Sequence, residues 1–296
     1  MNIKDINFIG REPSKKEGFY TLMPYIIDNV DKVRVNTSAT TRTEFSEYDF
    51  DVVFLFQSPD PNIHNYLFNQ EKPIKIGEVS STSYEWLIRK LKSVSNHKII
   101  KMKLYEFTDI KYSSLLARYY NADLIFDPFI NITKKIENIK LVPTSKKLAE
   151  TYTLVNDFNR IFDINIKVND PTFLFTNYEG HKELEDYSGY GNIDPSCKTT
   201  LYISSEGNIY PNEYQKDVLL GNLLKLDVDK LYENRDNYNK EILARPFGNK
   251  CGNCIYRNYC GGSLVNSWFD KNVRNNDNCG IPRLIKPEDL LQELKN

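Results

Sequence analysis

Cysteine is nearly missing from this chain. Of 296 residues only five are cysteine, and none of them falls among the first 196. Histidine is rarer still, at three. An excess of one charge is also lacking, since 39 Lys and Arg face 40 Asp and Glu for a net charge of −1. That balance supplies no broad basic field, so nucleic acid and anionic membrane are not expected partners. No apolar run approaches the roughly 18 residues a membrane span requires. The opening stretch, MNIKDINFIGREPSKKEG, has no apolar core of the kind a secretory signal carries. The expectation is a soluble, cytoplasmic protein, in which cysteines serve as metal ligands or spare thiols rather than as disulfides. Internal repeats and low-complexity tracts are absent too.

What is present is a globular composition, with 40% hydrophobic and 27% charged residues and enough length for one large domain or two ordinary ones. Between Val52 and Val168 short apolar runs alternate with helical patterns. The runs are Val52 to Phe56, Ile74 to Val79, Lys98 to Tyr105, Ala122 to Phe126, Ile139 to Val142 and Ile164 to Val168. Lys32 to Val35 is a further strand candidate. Tyr84, Leu87, Leu91 and Val94 share one helical face, as do Leu148, Tyr152, Val155 and Phe162 after Thr144-Ser145. Alternating β and α units indicate an α/β domain with a largely parallel sheet, which a degenerate partial β/α barrel and a Rossmann-like open sheet both satisfy. This domain is assigned to residues 1–185. From 186 onward the character changes. A Gly/Ser/Pro/Asp-rich stretch from Asp186 to Cys197 reads as a linker. Two β-like runs around Ser205-Glu206-Gly207 read as a hairpin. The tail from Pro287 reads as a short capped helix. Residues 186–296 are therefore assigned to a second, small cysteine-rich module.

Four of the five cysteines crowd into this module. Cys251, Cys254 and Cys260 make C-x2-C-x5-C, and Cys279 follows 19 residues later. Short loops with cysteines two to five residues apart let thiolates converge on an iron–sulfur cluster. Gly252, Gly261 and Gly262 allow the tight turns this requires. Four thiolates would equally hold Zn2+ in a tetrahedron.

The segment from Cys197 to Cys279 resembles a SPASM domain, the auxiliary iron–sulfur module of many radical SAM peptide-modifying enzymes. That family's pattern runs C-x9-15-G-x4-C, a gap, C-x2-C-x5-C-x3-C, a second gap and a last C. Here Cys197 is followed at the right intervals by Gly207, and then by Asn212 where the family has cysteine. The LGNL run, Leu220 to Leu223, resembles a segment common in the first gap. Cys251, Cys254 and Cys260 fall in register, Leu264 replaces the next cysteine, and Cys279 supplies the last. The resemblance implies that both replacements fall on one auxiliary cluster, leaving Cys197 a spare thiol. It implies that Cys251, Cys254, Cys260 and Cys279 hold the other, a single fully ligated 4Fe-4S cluster, with Zn2+ as the alternative. The family's radical chemistry depends on a C-x3-C-x2-C motif near the start of the barrel. Residues 1–196 contain no cysteine, so no cluster for SAM cleavage is expected. The implied role is a non-catalytic or partner-dependent component of ribosomal-peptide maturation. It would bind a precursor peptide, a partner modifying enzyme of ATP-grasp or radical SAM type, or both. Oligomeric state and catalytic residues are not assigned.

Other features carry less. His64, His97 and His181 are isolated, and His64 and His97 read as surface turns rather than ligands. Gly189 to Gly191 (GYG) reads as a flexible linker, lacking the spacing of a phosphate loop. Glu78 and Asp127 lie near the C-terminal ends of expected strands, where α/β sites form. Ala122 to Phe129, ADLIFDPF, would suit a nucleotide- or sugar-nucleotide-dependent transferase. A zinc-stabilised protein-recognition module is the remaining alternative.

Overall fold

The computed structural model describes residues 3–10, 12–38, 45, 48–70, 83–129, 141–162, 164–170, 173, 200–254 and 279. The chain forms two compact units, the first built mainly from residues 1–130 and 150–170 and the second from 171 onward. The expected division at 185/186 falls among residues outside the described set.

The first unit holds six parallel strands: β1 (Asp5–Phe8), β2 (Lys32–Thr37), β3 (Asp51–Phe56), β4 (Lys98–Leu104), β5 (Asp123–Pro128) and β6 (Ile166–Val168). They lie side by side in chain order, β1 through β6, without a reversal. A doubly wound sheet reverses its order at a switch point. Unbroken sequential order is that of a barrel wall, so of the two sequence alternatives the partial β/α barrel is the observed one. The helices are α1 (Phe19–Asn29), α2 (Pro61–Gln70), α3 (Ser83–Ser93), α4 (Ile110–Tyr119) and α5 (Ser145–Ile161).

Period-two alternation decides which side of the sheet meets the helices. Phe8 packs edge-on against Phe19 of α1, and Phe56 packs against His64 of α2 and Tyr84 of α3. Val52, Phe54, Ile100, Met102, Leu104, Leu124 and Phe126 share this face and are fully buried. Together with Tyr84, Leu87 and Leu91 of α3 and Val94 just after it, all buried as their spacing predicts, they make the core.

The run Ile139 to Val142 departs from expectation. Leu141 and Val142 are not in a strand, and Ile139 and Lys140 lie outside the described residues. Leu141 O accepts from Glu106 N–H at 3.2 Å, while the place beside β5 belongs to β6. The run Ile74 to Val79 and the tail helix from Pro287 also lie outside the described residues.

In the second unit β7 (Tyr202–Ile203), β8 (Asn208–Tyr210) and β9 (Gly221–Asn222) form an antiparallel sheet against α6 (Val228–Ala244). The expected hairpin is there. Gly207 N–H closes the turn onto Ser204 O at 3.0 Å with φ +79°, the conformation that favours glycine. Ile209, Leu220, Leu231, Tyr238 and Ile242 form a small separate core. Asp227 caps α6, its carboxylate accepting from Lys230 N–H at 3.0 Å.

Candidate functional site

Beyond α6 the chain enters the cysteine loop through a short helical turn, α7 (Asn249–Gly252). Cys251 N–H donates to Gly248 O at 3.0 Å and Cys254 N–H to Cys251 O at 3.3 Å. Cys251 thus lies within the turn and Cys254 just past it, tied back to Cys251 by its backbone. Both are half-buried, as is Cys279. A half-buried thiol pair on a tight turn is the donor chemistry that a thiolate-bound metal or iron–sulfur cluster uses. Among the described residues no three His, Cys, Asp or Glu side chains gather into a metal-holding group. Cys260, Cys197 and Leu264 lie outside the described residues.

Asn212, the residue standing where the SPASM pattern has a cysteine, is held in a polar network. Its Oδ1 accepts from Tyr214 N–H at 3.0 Å, and its Nδ2 donates to Gln215 Oε1, also at 3.0 Å. Tyr238 of α6 donates its hydroxyl to the same Gln215 oxygen at 2.6 Å. Gln215 is fully buried. Hydrogen bonds thus tie the end of the hairpin to α6.

In the first unit the face turned away from the helices carries charged side chains among Val53, Leu55, Ile99 and Ile125. At its N-terminal end charges alternate in sign. Asp51 meets Lys32 at 3.0 Å and Arg34 at 3.7 Å, and Arg34 also reaches Asp5 at 3.7 Å. His97 bridges Asp51, at 3.0 Å from Nδ1, and Asp123, at 3.4 Å from Nε2. Nearer the C-terminal ends Asp127 of β5 is buried, with Lys103 at 2.5 Å, Lys101 at 3.5 Å, and Asn169 Nδ2 donating at 2.8 Å. Burial pushes this carboxyl's pKa up. The two ammoniums and the hydrogen bonds more than reverse that, bringing it down to about 2. Asp127 is therefore an ionised, fully committed carboxylate.

The structure places the other candidates as follows. His97 is about half exposed and sits in the ion-pair layer. His64, expected on a surface turn, is instead fully buried on α2, because the amphipathic helix turns that position toward Phe56 and Tyr84. Gln57 N–H donates to its Nδ1 at 3.1 Å, and burial lowers its pKa to about 4, so it is a neutral core imidazole. Glu78, His181 and Gly189 to Gly191 lie outside the described residues. Sequence reading passed over Lys101, Lys103, Lys167 and Asn169. Their signal was the alternation in KIIKMKLY, where lysines two apart interrupt an apolar strand.

No family model matches the sequence, and no curated protein matches it. Solved structures do. A histidine-tagged anSMEcpe with bound AdoMet aligns over 100% of this chain and 81% of its own, with TM-score 0.67 and 16% identity. Streptococcus suis SuiB bound to S-adenosylmethionine aligns over 93% of this chain and 66% of its own, with TM-score 0.66 and 13% identity. Native anSMEcpe with bound AdoMet and Cp18Cys peptide aligns over 100% and 86%, with TM-score 0.66 and 14% identity. What this likeness establishes is the fold, a partial β/α barrel.

Proposed function

We propose that the chain is a SPASM-type iron–sulfur protein of ribosomal peptide maturation, binding a precursor peptide or a partner modifying enzyme without radical SAM chemistry of its own. One observation carries the reading: the fold is shared with AdoMet-bound structures, one of them also holding a peptide, yet the barrel segment contains no cysteine. Cleavage of AdoMet by this fold requires an iron–sulfur cluster to deliver an electron, and residues 1–196 offer no thiolate to hold one. Cys251, Cys254, Cys260 and Cys279 would hold a single 4Fe-4S cluster. With four protein thiolates such a cluster supplies a structural clip or an electron relay, since no iron is left open for substrate. The residues around it have plainer tasks. Gly248 O accepts from Cys251 N–H in the turn that carries the first of these cysteines, while Asn212, Gln215 and Tyr238 close the hairpin onto α6 by hydrogen bonds.

The test is the iron and sulfide content of anaerobically purified protein, read with its visible spectrum. About four irons and four sulfides per chain support the reading. One zinc without sulfide makes the site a structural clip and overturns the iron–sulfur assignment. Cys254→Ala should lose the metal while Cys197→Ala keeps it, and equal loss from both refutes the ligand set.

A further inference from the structure

The barrel face turned away from the helices changes its charge balance along the strands. At the N-terminal end three carboxylates (Asp5, Asp51, Asp123) face the cations Lys32 and Arg34 and the imidazole of His97. Toward the C-terminal end Asp127 is the carboxylate of the layer, and it faces Lys101 and Lys103. Lys167 of β6 joins the same face, since its register partner Ile125 sits two residues before Asp127 on β5. Lys167 is exposed and makes no ion pair among the described residues. Among the described residues one carboxylate thus stands against three ammoniums, with Asp127 as a buried anchor.

We infer that this layer binds an extended acidic peptide segment, with Lys101, Lys103 and Lys167 as its anchors. The inference deepens the peptide-binding reading proposed above and rests on it. Two features favour a peptide over a simple anion. Lys101 and Lys103 are alternate residues of one strand, spaced about 6.6 Å apart, which is also the spacing of alternate side chains in an extended peptide. Just past the strand ends Phe107, 45% exposed, stacks on Tyr105 at 5.3 Å, and Tyr105 leans on Phe129 at 5.1 Å. These rings form an apolar shelf beside the cations, suited to a hydrophobic side chain flanking the acidic ones.

The experiment uses the full chain as purified and fluorescein-labelled peptides of alternating Glu and Ala, with Lys-Ala and Gln-Ala peptides of equal length as controls. Fluorescence anisotropy should show the Glu peptide binding at least tenfold more tightly than either control, weakening as salt rises. Lys101→Gln/Lys103→Gln should weaken binding about tenfold. Lys167→Glu, an exposed change that leaves the fold intact, should weaken it about threefold or more. Asp127→Asn should strengthen it, by removing the carboxylate that competes for the two lysines. Equal binding of the three peptides, displacement by ATP at micromolar concentration, or a Lys167→Glu variant that binds like wild type would each overturn the inference. Iron content of the same samples separates the two claims. Normal iron with no acidic-peptide binding removes this site alone, and selective binding without iron removes the cluster alone.

Discussion

His64 shows how a single side chain reports its environment. Its Nδ1 accepts a backbone N–H and its ring lies between Phe56 and Tyr84, so protonation would both remove a hydrogen bond and bury a charge. Its folded pKa, about 4, lies below the ordinary 6.5. The unfolded chain therefore binds the proton first as pH falls. Stability from this group is complete above pH 6.5 and is lost between there and about pH 4, amounting to about 3 kcal/mol. Urea titrations at pH 7.5 and pH 4.5 should show this fall in wild type and a smaller one in His64→Leu. Identical pH dependence in the two would mean the imidazole is not neutral and buried. Asp127 acts at lower pH. Its stabilisation persists above the ordinary carboxylate pKa and fades only as pH drops toward about 2.

Elements in this protein bring their own repairs. Helix α1 contains Pro24, which has no N–H to donate to the carbonyl of Tyr20 one turn earlier. The hydroxyl of Tyr48, from the segment before β3, reaches that carbonyl at 3.4 Å. Tyr48→Phe should cost about 1 kcal/mol, measured by thermal or urea unfolding. The same substitution in a Pro24→Ala background should cost less, because the helix then supplies its own donor. The hairpin of the second unit depends on Gly207, whose positive φ leaves a Cβ strained and 3.4 Å from Leu224 Cγ. Gly207→Ala should cost about 1 kcal/mol or more, and a neutral result would indicate that the turn relaxes. Of these elements α3, α5, β3 and the hairpin were legible in the sequence, because their apolar spacing or turn residues speak locally. Helices α1, α2, α4 and α6 were not. Pro24 masks the first, and Asp109 and Asp227 mark the last two only once their carboxylates are seen capping the first turn.

At the scale of the molecule, each unit has a core of its own. The barrel buries a continuous apolar layer between sheet and helices, while the hairpin and α6 pack around Ile209, Leu220, Leu231, Tyr238 and Ile242. A thiolate-bound metal is a common staple of small cysteine-rich modules. Cys254→Ala should therefore lower hydrogen-exchange protection of α6 amides while leaving β4 and β5 unchanged. Protection lost equally from β4 would show that the metal does not act on the second unit alone.

The sequence by itself determined the α/β character and the hairpin at Gly207. Each of these is written in local periodicity, turn chemistry or residue spacing. Only the tertiary structure decided the strand order that makes a barrel rather than a reversed sheet, the burial of His64, and the gathering of Lys101, Lys103, Asp127 and Asn169. These depend on which strands become neighbours, and residues up to 68 positions apart, Lys101 to Asn169, meet only once the sheet has formed. Local pattern can say that a lysine lies on a strand. Which carboxylate faces it follows from the register of the next strand.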